Sequence, residues 1–192
     1  GEIALGEPVR AALRLALGEC RRRQIPVSFD CSYRSALWSM SDAAEGFRPL
    51  MEFVDVYLGS EQDARQFFGV SSSGERNQRD LQNLFGFRCV AYTNRDVTAT
   101  GINRYSASLL VGPELVNTPV FEIDVVDRIG TGDALTAGVI RGLLLGQSAD
   151  ELTAFAMAAA VLKHSVPGDF ALLSLNEIQQ FASGGSLAKV RR

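Results

Sequence analysis

The sequence predicts an α/β fold built on a mainly parallel sheet flanked by helices. Two observations carry this. Short apolar runs with strand character, "VSFD" (27–30), "VDVYL" (54–58) and "RCVAYT" (88–93), alternate with stretches whose apolar residues recur at helical spacing. The length of 192 residues and the 46% hydrophobic and 21% charged composition suit one globular unit, so residues 1–192 read as a single α/β domain.

Taken in order, Val9, Leu13, Ala16, Leu17 and Cys20 mark a helix from Glu7 to about Arg23, with Pro8 suited to its first turn. After the first strand, a helix is expected from Asp42 to Phe53 with Ser41 as N-cap. "SEQDARQFFG" follows the second strand as a helix closed by Gly69, and a further helix is expected over Gln78–Phe85. From Val97 to Asp127 the pattern turns to extended, antiparallel pieces split by Gly112-Pro113. Helical spacing returns at Asp133 and runs to about Leu145 before Gly146. "SADE" (148–151) and "SLNE" (174–177) are capping boxes, the first opening a helix that reaches about Lys163.

Composition excludes several functions. Net charge is −3, with no basic cluster beyond Arg21–Arg23 and Arg191–Arg192, which argues against nucleic acid as a partner. No run of about 18 apolar residues suggests a membrane span, and the first residues lack a secretion signal. Cys20, Cys31 and Cys89 are isolated among apolar residues and read as buried, reduced thiols of a cytoplasmic protein. The single histidine, His164, rules out a multi-histidine metal site.

The stretch "DRIGTGDALTAG" (127–138) carries the chemistry. Glycines at 130 and 132 let backbone approach a ligand, and the first turn of a helix offers unpaired N–H groups at the positive end of its dipole. Gly130, Thr131 and Gly132 therefore read as an anion hole. Asp133 is ill-suited to holding phosphate, but it fits a base that takes a proton from a hydroxyl as phosphate transfers to it. On spacing alone, Asp133 reads equally as an N-cap with turn-shaping glycines. Position 135 is Leu, which rules out a dinucleotide fingerprint, and no phosphate-binding G-x-x-x-x-G-K-[ST] loop occurs.

"VVDRIGTGDALTAG" closely resembles the C-terminal signature of the ribokinase-like (phosphofructokinase-B) carbohydrate kinases. "VSFDCSYRSALWS" (27–39) and "LKHSVPGDFALLS" (162–174) resemble two further motifs, those of the 2-keto-3-deoxygluconate kinases. The likeness covers nearly the whole chain but only the second half of such a kinase, so a ribokinase-like fold without its N-terminal lid half is expected. It implies ATP-dependent phosphorylation of a sugar or sugar acid, most nearly 2-keto-3-deoxygluconate, with Mg²⁺. A fructokinase, or a truncated nucleotide-binding remnant without turnover, are the alternatives.

By the same resemblance Asp133 is the catalytic base, and Arg34 reaches both substrate and ATP phosphates. Ser32, Tyr33 and His164 lie on the nucleotide side, and Asp169 contacts substrate. Asp127 marks a place where the family often binds a monovalent cation through backbone carbonyls, and Asp63 stands where a carboxylate would bind Mg²⁺ through water. Each has a plainer role: Arg34 paired with Asp30, Asp169 as a turn residue after Pro-Gly, and Lys163-His164 as positive charge at a helix end. Ser32 stands where the related motif usually has Asn. With its lid half missing, the chain alone is expected to be inactive and to expose its first strands, through which it would pair as a homodimer.

Overall fold

The computed structural model describes residues 2–99 and 101–184. The chain divides by contact into two compact units, one formed by Gly1–Tyr92 with Leu110–Pro113, the other by Thr93–Leu109 with Glu114–Arg192.

In the first unit, α1 (Glu7–Arg22) starts with proline in its first turn. Strands β1 (Ser28–Asp30), β2 (Val56–Gly59) and β3 (Cys89–Val97) are neighbours and pair in parallel, with Ser28 opposite Val56 and Val56 opposite Cys89. The β1–β2 connection holds α2 (Met40–Phe47) and a 3₁₀ segment (Arg48–Phe53). The β2–β3 connection holds α3 (Glu61–Phe68) and α4 (Glu75–Phe85). The strands bury an aromatic cluster in which Tyr57, fully buried, stacks between Phe29 and Phe87.

Three expectations need correction here. Ser39, not Ser41, caps α2, because its hydroxyl accepts the Asp42 N–H at 3.1 Å. The α-helix ends at Phe47 rather than Phe53: Pro49 has no N–H to continue the ladder, and the chain tightens into 3₁₀ geometry. Helix α4 begins at Glu75 rather than Gln78. Its buried polar residues are matched by carbonyls: Asn77 donates to Val70 and Ser72, and Gln78 donates to Val90 at 2.7 Å.

In the second unit, β4 (Asn103–Val111) neighbours β3 and β5 (Glu114–Asn117), and β6 (Phe121–Ile123) pairs with β4 in the antiparallel sense. Helices α5 (Thr131–Leu144), α6 (Ala149–Lys163) and α7 (Leu175–Ala182) follow. Both expected capping boxes form, at Ser148 and Ser174. Helix α6 is buried nearly all round, which its run of alanines permits. It lies so close to α5 that a Cβ on Gly138 would fall 2.5 Å from the Ala156 Cα.

The sheet is thus mixed, parallel through β1, β2 and β3, and flanked by helices, in keeping with the expected α/β class. Cys20, Cys31 and Cys89 are free thiols; Cys31 and Cys89 are buried, whereas Cys20 is only half-buried. Among the described residues no helix is long and apolar enough to cross a membrane.

Candidate active site

The second unit builds the glycine turn. Gly130 is the N-cap of α5 and adopts left-handed backbone, φ +76°. A Cβ there would lie 2.2 Å from the Asp169 carbonyl oxygen, so glycine is required twice over, by conformation and by space. This close approach seats the turn carrying Asp169 against the N-terminus of α5. The helix begins at Thr131, two residues before the expected start, which makes Asp133 its third residue. Asp133 is therefore not the N-cap. The Gly132 and Asp133 amides fall in the first turn, where helix geometry supplies no intrahelical acceptor. Gly132 and Asp133 are both exposed, and the space around Gly132 is open within 4 Å of a would-be Cβ.

Asp127 ties this turn to the segment after α6. Its carboxylate accepts the Ile129 N–H at 3.0 Å and the Gly168 N–H at 2.8 Å. These two amides, the Ile129 bond first, hold the carboxyl below its ordinary range. The amides of Val126 and Asp127 donate in turn to the His164 carbonyl. Lys163, the last residue of α6, is fully buried and donates to the carbonyls of Val166 at 2.9 Å and Gly168 at 2.8 Å. Asp169 is exposed.

A second set of contacts supports the helix start from behind. Thr131 is buried; its hydroxyl donates to the Arg128 carbonyl at 3.0 Å and accepts from Arg95 Nη2 at 2.9 Å. The same guanidinium donates to His164 Nε2 at 3.3 Å and lies 5.1 Å from the centroid of the Tyr105 ring. His164 Nδ1 is 2.8 Å from the Ala160 carbonyl. A carbonyl only accepts and a guanidinium only donates, so these partners specify the neutral Nδ1–H tautomer. Burial, with the positive charges of Arg95, Lys163 and Arg128, holds the imidazole pKa below its usual value. His164 is 1% exposed, so it faces protein on all sides.

The first unit presents the other predicted residues. Ser32 follows β1 with φ +26°, a conformation that Asn tolerates better than Ser, which gives a physical reason for Asn in the related motif. Its amide and hydroxyl both bond to Asp30 Oδ1, at 3.0 and 2.8 Å. Arg34 stands exposed on the next turn and, among the described residues, forms no ion pair with Asp30. Tyr33 is half-buried, with its ring 5.1 Å from Phe67 and its hydroxyl donating to the Trp38 carbonyl. Trp38 itself is core, packed edge-on to Phe47. Asp63 accepts the hydroxyl of Ser60, the N-cap of α3, at 2.6 Å. Among the described residues no group of three or more His, Cys, Asp or Glu is placed to hold a metal ion.

Sequence reasoning missed Arg95 and Tyr105. Arg95 lies in the polar run "TNRDV", which reads as loop, yet β3 extends through it to Val97. Tyr105 begins an alternation with Ala107 and Leu109, all buried, that could have marked it as inward-facing.

Comparison with known proteins shows the family and the fold. The profile of the pfkB family carbohydrate kinases matches residues 4–172. A 2-dehydro-3-deoxygalactonokinase of Haloferax volcanii is 31% identical over 95% of this chain. The crystal structure of a 2-dehydro-3-deoxygluconokinase from Thermotoga maritima superposes with a TM-score of 0.90 at 32% identity over 94% of the chain. A ribokinase-like protein of Escherichia coli, solved with ATP and Mg²⁺, shares the fold over 94% of the chain at 21% identity and a TM-score of 0.76. The chain spans 55 to 57% of the length of these three proteins. With the glycine turn, the ordered helix start and this match, the chain belongs to the pfkB family of carbohydrate kinases.

Proposed function

We propose that the intact protein transfers the γ-phosphate of ATP to a hydroxyl of a 2-keto-3-deoxy sugar acid, with Asp133 as general base. The observation that carries this reading is the exposed Asp133 carboxylate in the first turn of α5, beside amides that Gly130 orients. In the proposed reaction Asp133 takes the hydroxyl proton as the oxygen attacks the γ-phosphorus; the bond to the β,γ-bridging oxygen breaks and ADP leaves. The turn from Gly130 to Gly132 meets the charge on the transferring group with its open amides, the Thr131 amide being turned to the Arg128 carbonyl at 3.3 Å, and the α5 dipole adds to them. Arg34, a planar cation at the end of a parallel strand, binds the sugar-acid carboxylate or the phosphates.

Asp169, held beside Gly130 by its own backbone, contacts the sugar. Ser32 and Tyr33 line the nucleotide side, and His164 contributes there by orienting Arg95. Bound with ATP, Mg²⁺ offsets phosphate charge; Asp63, a single carboxylate, suits contact with it through water. Free thiols and the use of ATP fit a cytoplasmic setting. The experiment is ADP release by the intact protein with 2-keto-3-deoxygluconate, its galactonate epimer and fructose offered in turn. Turnover with either sugar acid in excess of fructose supports the reading. Preference for fructose points to a fructokinase, and absence of sugar-dependent turnover points to a nucleotide-binding remnant.

A further inference from the structure

A fully buried lysine with no carboxylate bonded to its ammonium is unusual, because desolvating that charge costs several kcal/mol unless other groups replace its water. Among the described residues Lys163 is such a residue, 0% exposed, and its ammonium is met by two backbone carbonyls, those of Val166 and Gly168. Convergent carbonyl oxygens in place of water are how proteins hold small monovalent cations. The sequence resemblance leads one to expect a monovalent ion near Asp127. At that corner the Val166 and Gly168 carbonyls are taken by Lys163, and the two Asp127 carboxylate oxygens by the Ile129 and Gly168 amides. These groups do not fit a further cation.

We propose that the Lys163 ammonium is the resident cation of the turn that seats the anion hole, so that turnover requires no potassium or other monovalent ion. This rests on the kinase reading above. Gly168 is gripped on both sides, its N–H by Asp127 and its carbonyl by Lys163. The next residue, Asp169, places its carbonyl against Gly130, and the Lys163 Cε lies 3.3 Å from where a Gly130 Cβ would be. The lysine therefore fixes the segment against which the N-cap of α5 rests. Its charge, shielded from water, also adds to the positive field at that helix end. Lys163 touches no substrate in this account. It is a positioning residue.

The test compares the intact protein in KCl and in tetramethylammonium chloride at equal ionic strength, with ADP measured by chromatography so that no potassium-dependent coupling enzyme intervenes. Wild type should turn over equally in both salts, and its melting temperature should not respond to potassium specifically. Lys163→Met should lose about 10²-fold in kcat, the scale of a misplaced site. Potassium, but not tetramethylammonium, should restore part of that rate and raise the variant's melting temperature. Wild-type turnover that rises several-fold with potassium overturns the proposal, as does a Lys163→Met variant with full activity in potassium-free medium. If Lys163→Met does not fold, the wild-type comparison decides, together with Lys163→Arg, whose bulkier planar head should bring slower turnover without making it potassium-dependent. If wild type shows no sugar-dependent turnover, the kinase reading fails while the melting comparison still decides the role of Lys163.

Discussion

Gly130 and Gly132 sit two residues apart, and the structure gives them separate work that alanine substitution should expose. Gly130→Ala forces a Cβ onto left-handed backbone, which costs about 1–2 kcal/mol. It also drives that Cβ to 2.2 Å from the Asp169 carbonyl and 3.3 Å from the Lys163 side chain. Relieving that contact means moving a backbone turn held by Asp127 and Lys163, an overpacking cost of about 1–3 kcal/mol. Together these predict a loss near 3 kcal/mol, or roughly 6–12 °C in melting temperature for a chain of this size. Gly132→Ala meets open space and gains helix propensity, so stability should hold or rise by about 0.5–1 kcal/mol. Its methyl group would nonetheless stand where a phosphate approaches the amides, so affinity for ATP should fall. Thermal melting and ATP titration of both variants check the pair. A Gly130→Ala protein that melts with wild type would refute the argument, as would a Gly132→Ala protein that loses stability and keeps its affinity for ATP.

Two further predictions follow from charge. His164 must stay neutral to accept from Arg95, and its folded pKa lies below the ordinary value of 6.5. Its contribution to stability is therefore complete above about pH 6.5 and is lost as pH falls through the window below it. Melting measured from pH 7.5 down to 5 should decline more steeply in wild type than in His164→Asn, and equal slopes would dismiss the effect. Arg34→Ala should weaken binding of the sugar acid or of ATP by about 10- to 100-fold, the range for losing a bond to a charged group. Arg34→Lys should recover only part of that, because the planar fork is gone. Unchanged affinity for both ligands in Arg34→Ala would remove it from the site.

Much of the fold was legible because local chemistry punctuates it. Ser148 and Ser174 announce their helices through capping boxes, and Gly69 closes α3 in left-handed geometry. The Ser39-to-Asp42 spacing held the same kind of signal as the boxes, but Ser41 stood nearer the apolar pattern and drew the boundary two residues late. The start of α4 was not legible. Asn77 and Gln78 look solvent-facing, and only tertiary carbonyls from Val70, Ser72 and Val90 explain why they are inside. At the site, the glycine turn was readable from residue types because few side chains other than hydrogen fit left-handed backbone. Lys163 was not: a cation at the end of a helix reads as solvated charge, and its burial depends on a turn folding back to offer two carbonyls. Arg95 was hidden for a related reason, since a polar run gives no sign that one guanidinium will bridge Thr131 and His164.

The central claim is that Asp133 is a base rather than a structural residue of the helix start. Asp133→Asn preserves the size of the side chain and removes its ability to take a proton. In the intact protein with 2-keto-3-deoxygluconate and ATP, kcat should fall by about 10²- to 10⁴-fold, the worth of a general base, while affinity for ATP is retained. Melting should change little, because Gly130 rather than Asp133 occupies the N-cap. An Asp133→Asn protein with near-normal kcat would contradict the account, returning Asp133 to an ordinary first-turn carboxylate on α5.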